Sequence, residues 1–524
     1  MLKKFIKYAK YVLITIVSLF LLLIVGLSLR LIYAPKLQPW HMYIPDELTA
    51  AELDKATWAD FIAREDKMFS DIYREVVLKT PNTEKNQINR YFENSLVYPS
   101  HFERDWNRSY ALIPSEPKGA VVFLHGLTDA PYSLRHIAQL YYQRDFVVIG
   151  LRVPGHGTVP GALTKITWQE WTGATRLAVR EARRLSPKGT PLHLVGFSQG
   201  GTLALKHALD ALENDTLSSP DKLILISPMI GITRLSKLAE IMESASVIPG
   251  FEKAAWISII SEFNPFKFNS FPANAVKQAR LLITEMKEQI IRLHKNGEIK
   301  NLPPVTAFQS IIDYTVSTPA LINDLFSYLP DNNSELVLFD INRDTAFLPL
   351  VRPVFVNMLS KMLPDLPLPY KMTVIGNVES GDSHAVERTA LPGNEDFLTR
   401  DLGLTYPSDV FSLSHISLPF PQSDALYGSA PNPEKKDEFG LNLGIISNAQ
   451  GERGILEINT NLFFRISSNP LFPYLAERIN ENIDDASVLQ KYSDRQYKAN
   501  SKAKMTEKEY DLLMQELDYD EVSF

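Results

Sequence analysis

The pentapeptide Gly196-Phe197-Ser198-Gln199-Gly200 constrains this chain more than any other feature. Upstream, Pro191-Leu192-His193-Leu194-Val195 is a short, mostly apolar run of buried-strand type. Downstream, Gly201 to Leu209 is a good helix former. The pattern predicts a strand that turns sharply into a helix, with Ser198 at the apex. A nucleophilic serine needs that geometry, because its hydroxyl must stand clear of the backbone for a base and a carbonyl carbon to reach it. Glycines at 196 and 200 avoid collision with the neighbouring strand and helix. The helix start leaves backbone N–H groups free, among them that of Gln199, where a developing oxyanion can use them.

Two further motifs precede the elbow. Ala120 to Leu124 reads as a buried strand and runs into His125-Gly126-Leu127-Thr128-Asp129. Val147 to Leu151 reads as another, followed by the loop Arg152-Val153-Pro154-Gly155-His156-Gly157-Thr158 and then by Trp168-Gln169-Glu170-Trp171. A His-Gly turn, a Pro-Gly-His-Gly loop, a tryptophan-bearing helix start and the elbow, in this order, resemble the α/β-hydrolase group of serine aminopeptidase-like domains and monoglyceride lipases. The resemblance is strong from Lys118 to about Pro228 and resumes in pieces toward the C-terminus. It implies an α/β fold: a mostly parallel central sheet, helices on both faces and a helical cap. It also implies hydrolysis of an ester, thioester or amide through a serine nucleophile. In such a fold the His-Gly turn supplies the second oxyanion donor, here the N–H of Leu127 beside that of Gln199. His125 reads as a structural turn histidine, since the order in this fold is Ser, then acid, then His.

Of ten histidines, only His207, His294, His384 and His415 follow Ser198. His207 sits in the elbow helix and His294 in a helical run of the expected cap. His415 follows Val410-Phe411-Ser412-Leu413-Ser414, an alternating strand-like stretch, and the continuation Leu418 to Gly428 resembles the same segment in bacterial members of the group. It is the expected base, with His384 in the polar loop Glu379 to His384 as the alternative. For the acid, Pro303 to Val316 resembles the family pattern and points to Asp313, with Asp340 after Glu335 to Phe339 as the alternative. Asp313 and His415 stand about 100 residues apart, so an insertion at about 345–405, rich in Pro and Leu, is expected between the last two core strands.

The 524 residues are 45% hydrophobic, ample for a large core. A net charge of −7 gives no basic excess for nucleic acid, and there is no cysteine to supply a disulfide, thiolate nucleophile or Cys-based metal site. Neither a metal-ligand cluster nor a phosphate loop stands out, so no cofactor is expected. Lys3, Lys4, Lys7 and Lys10 precede an uncharged apolar run from Tyr11 to Leu29. A bilayer takes ~20 such residues. The lysines orient the N-terminus to the cytoplasm and the enzyme outward (periplasmic in a bacterium), or, if cleaved as a signal peptide, release it as a secreted protein.

The expected organisation is an anchor at 1–33, a helical entry segment at 34–117, a catalytic domain at 118–489 with a cap at about 229–303, and a polar tail at 490–524. Phe251, Trp256, Phe263, Phe266, Phe268 and Phe271 crowd the cap, which suits an acyl chain or serves as the cap's own core. The expected activity is that of a serine esterase or lipase acting on a small acyl ester or lipid. One rival is an aminopeptidase, with Glu240, Glu243 and Glu252 as candidate holders of the substrate amine. The other is a non-catalytic tethered protein on a hydrolase scaffold.

Overall fold

The computed structural model describes residues 33–82, 87–231, 252–377, 382–445 and 465–484, with scattered positions between 8 and 26. Ten strands form one sheet: β1 (Tyr110–Leu112), β2 (Gly119–Leu124), β3 (Phe146–Leu151), β4 (Leu192–Phe197), β5 (Lys222–Ile226), β8 (Val305–Ser310), β9 (Glu335–Phe339), β10 (Lys371–Asn377), β11 (His384–Ala390) and β12 (Phe397–Thr405). A separate hairpin holds β6 (Trp256–Ser258) and β7 (Phe271–Pro272). The order across the large sheet is β1-β3-β2-β4-β5-β8-β9-β10-β11-β12. From β3 to β10 neighbouring strands are parallel, while β1, β11 and β12 pair antiparallel at the edges.

Near-continuous apolar runs make these strands because both faces are covered. Along β2, Ala120, Val122 and Leu124 enter one core, and Val121 and Phe123 enter the other. The longer helices are α1 (Trp58–Glu75), α2 (Arg135–Tyr142), α3 (Trp168–Leu185), α4 (Gln199–Glu213), α5 (Ala273–Lys295) and α6 (Phe472–Asp484). Buried residues of α3, α4 and α5 fill the first core, and those of α2 and α6 the second.

Two expectations are corrected. The 345–405 insertion does not fall between the last two core strands; it follows β9 and adds β10, β11 and β12 to the sheet. Residues 410–413 form no strand, because Asn342 takes up their carbonyls: its N–H donates to Phe411 (3.0 Å) and its Nδ2 to Val410 (2.9 Å). In its described part the cap is the β6–β7 hairpin and α5, and its aromatic rings are packing. Phe266 stacks on Tyr132 at 4.4 Å, Trp256 meets His41 edge-on at 4.8 Å, and Phe268 lies in the first core. Phe251 is outside the described residues.

The 34–117 segment packs onto the catalytic core and contributes β1. Glu47 and Glu65 clamp the buried Arg152 at 2.8 and 2.6 Å, and Tyr91 Oη–H donates to the Thr158 carbonyl (2.8 Å). The Pro-Gly-His-Gly loop is thus held from outside, while Trp171 Nε1–H holds Pro154 from within (3.0 Å). The Tyr11–Leu29 run lies largely, and the tail from 490 wholly, outside the described residues. Among the described residues, no helix is long and apolar enough to cross a membrane.

Candidate active site

β4 ends at Phe197 and α4 begins at Gln199, leaving Ser198 between them at φ 55°, ψ −117°. For a residue with a Cβ this conformation is strained. The surroundings hold it: Ser198 N–H donates to the Ile226 carbonyl (2.9 Å), and its own carbonyl accepts from Gly201 and Met229 (3.0 Å each). The flanking glycines are required sterically. A Cβ on Gly196 would sit 2.3 Å from the Gly200 oxygen, and one on Gly200 would sit 1.8 Å from the Leu124 oxygen.

The structure brings Ser198, His415 and Asp313 together. Ser198 Oγ–H donates to His415 Nε2 (2.9 Å), and His415 Nδ1–H donates to Asp313 Oδ2 (2.8 Å). The carboxylate only accepts, so it fixes the proton on Nδ1 and leaves Nε2 free to accept from the serine. Asp313 Oδ1 takes the N–H groups of Thr315 (2.7 Å) and Val316 (3.0 Å), and Oδ2 also takes Gln309 Nε2–H (3.0 Å). Burial pushes this carboxyl up, but the charge and hydrogen bond of His415, with the two backbone donors, outweigh burial and hold it below the usual carboxylate range. His415 is placed by its loop. Ser310, at the end of β8, donates to the Leu413 carbonyl (2.9 Å), Ser414 Oγ–H donates to Ile466 (2.6 Å), and the ring stacks on Phe197.

The alternatives sit elsewhere. His384 has a side chain 64% exposed and bonds Asp382 (2.6 Å), which raises its pKa. Asp340 pairs with Arg343 (2.8 Å).

Gly126 abuts the nucleophile, since a Cβ there would lie 3.2 Å from Ser198 Cβ. Gln199 is the first residue of α4, so its N–H has no partner within the helix. Leu127 is in the turn beside Gly126, and Thr128 takes φ 65° as that turn reverses. His125 has no freedom to act as a base: its Nε2 accepts from Val153 N–H (3.0 Å), its Nδ1–H faces the Gly126 carbonyl, and burial drives its pKa well down. Sequence reasoning gave no site role to Asp129, which ends the His-Gly turn and is buried there. Among the described residues, no group of His, Asp or Glu could hold a metal ion.

Residues 115–263 match the family described as serine aminopeptidase, S33. The chain is 31% identical over 86 residues to a thermostable monoacylglycerol lipase of Bacillus sp. (strain H-257), a stretch covering 16% of this chain and 33% of that lipase. Similar solved structures include a monoacylglycerol lipase of Paleococcus ferrophilus (15% identity, 44% of this chain and 88% of that one, TM-score 0.33). A soluble variant of monoglyceride lipase from Saccharomyces cerevisiae is another (14%, 44% and 81%, TM-score 0.33). With its strand order and its elbow, the chain carries an α/β-hydrolase core, and residues 115–263 of it are similar to the serine aminopeptidase-like group.

Proposed function

We propose that the protein is a serine hydrolase of carboxylic esters, with lipid-like acyl esters as its substrate class. The observation that carries this is the unbroken relay from Ser198 Oγ through His415 to a saturated, buried Asp313 carboxylate, mounted on a strained elbow. In this reading Ser198 attacks the acyl carbonyl while His415 Nε2 takes its proton. The N–H groups of Leu127 and Gln199 hold the oxyanion. His415 then delivers the proton to the departing alkoxide. Water, deprotonated by the same nitrogen, releases the acid and restores Ser198. The catalytic unit spans 118–489, and the lysine-flanked run Tyr11–Leu29 tethers it with the enzyme outside.

The peptidase rival needs a carboxylate to hold the substrate amine. Glu252 is exposed, and Glu240 and Glu243 lie outside the described residues. The test is a panel of short- and medium-chain esters beside aminoacyl naphthylamides. Ester turnover lost in Ser198→Ala supports the proposal; naphthylamide turnover without ester turnover refutes it.

A further inference from the structure

Gln309 is a fully buried amide near the end of β8, one residue past the buried Phe308. Both hydrogens of its NH2 are used: Nε2 donates to Asp313 Oδ2 (3.0 Å) and to the Ser310 carbonyl (3.3 Å). The opposite orientation would set Oε1 against those same two oxygens, acceptor against acceptor, so the contacts fix which way the amide faces. Oε1 is left buried with no hydrogen-bond partner. A buried polar atom in that state costs stability, which methionine or leucine at this position would avoid. Packing therefore does not account for the amide, and its NH2 group on Asp313 does.

An ionised carboxylate offers about four acceptor sites. The N–H groups of Thr315 and Val316 take those of Asp313 Oδ1, and His415 Nδ1–H takes one on Oδ2. Gln309 takes the remaining one. Without it, Oδ2 keeps an unmatched site in a buried place, which weakens the ionised form and lets that oxygen drift from the line to His415. The next residue reaches the base: Ser310 Oγ–H donates to the carbonyl of Leu413, two residues before His415 (2.9 Å). The end of β8 thus holds the acid through Gln309 and the loop of the base through Ser310. Two other charged groups act on the pair. Arg465 Nη2–H donates to Thr315 Oγ1 (3.3 Å), and the buried Asp129 of the His-Gly turn feels the charge of His415.

We propose that Gln309 is a positioning residue of the triad: by donating to the oxygen that His415 uses, its amide holds that oxygen in line and keeps Asp313 ionised. This rests on the ester-hydrolase reading of Ser198, and the action of Gln309 runs through Asp313.

Two variants test it in the full-length protein, with thermal melting to establish that each is folded. Gln309→Met removes the donor and keeps the length. Gln309→Glu keeps the shape and makes the donor conditional. A carboxyl packed against Asp313 holds its proton to higher pH than an ordinary glutamate, because burial and the like charge both disfavour its ionised form. Protonated, it donates to Oδ2 as the amide does; ionised, it repels Oδ2. In ester turnover, Gln309→Met should lower kcat about tenfold with KM nearly unchanged, since the amide acts on proton transfer and not on substrate binding. Relative to wild type, Gln309→Glu should exceed Gln309→Met at about pH 5.5, and its advantage should shrink as pH rises. A Met variant within about twofold of wild type overturns the proposal, as does a KM that moves as much as kcat. So does a Glu variant no better than Met at about pH 5.5. Failure of both variants to fold would make the amide structural and overturn it as well. A wild type that hydrolyses no ester would instead fail the ester-hydrolase reading; if Ser198 still labels with a fluorophosphonate, the labelling rates of the same variants then decide the role of Gln309.

Discussion

Replacing Asp313 by Asn tests how the relay is wired. The Asp313 carboxylate has a fixed orientation, because Oδ1 receives two backbone N–H groups, from Thr315 and Val316. An asparagine keeps that oxygen where the donors are, so its NH2 replaces Oδ2 and faces His415 Nδ1 at the position that now accepts at 2.8 Å. The amide donates, so His415 must accept at Nδ1 and carry its proton on Nε2. Nε2 then cannot accept from Ser198. A triad locked in the wrong tautomer loses about 10⁴ in turnover, or about 5.5 kcal/mol of transition-state stabilisation. The assay is ester hydrolysis and the rate of fluorophosphonate labelling, each normalised to folded protein by thermal melting. Asp340→Asn, which disturbs the Arg343 pair instead, should stay within a few-fold of wild type. A folded Asp313→Asn variant that loses less than tenfold would refute the tautomer argument.

Two other outcomes follow from the packing. Gly200→Ala would press a methyl group into the Leu124 carbonyl, 1.8 Å away, and the β2 backbone cannot retreat. It should destabilise the fold by about 3 kcal/mol or more, read as a lower urea midpoint. Glu335, buried against Arg478 and Lys371, is lowered from 4.5 to about 2, since those cations outweigh its burial. A depressed folded pKa means stabilisation that is present above the unfolded value and lost as pH falls from 4.5 toward about 2, worth about 3 kcal/mol in full. Between pH 5 and pH 3 the urea midpoint of wild type should fall more steeply than that of Glu335→Gln.

The elbow was legible because its glycines are steric necessities, and a strand, turn and helix on either side leave few other readings of Gly196 to Gly200. The parallel strands were legible as apolar runs buried on both faces. The outer sheet was not. β12 carries Thr399, Arg400 and Asp401 and is largely exposed, and a charged edge strand reads like a loop. Residues 410–413 misled in the opposite direction: Leu413 is buried, but side-chain and backbone donors of Asn342 satisfy the stretch that strand pairing would otherwise serve. The partners of His415 depend on contacts 102 and 217 residues away in sequence, so family pattern pointed to Asp313 where spacing alone did not.

The most direct test is fluorophosphonate labelling of the full-length protein beside Ser198→Ala, His415→Ala and His384→Ala. Labelling that disappears in the Ser198 and His415 variants and persists in His384→Ala is the predicted result. Labelling that survives His415→Ala, or a folded wild type that does not label at all, would contradict it.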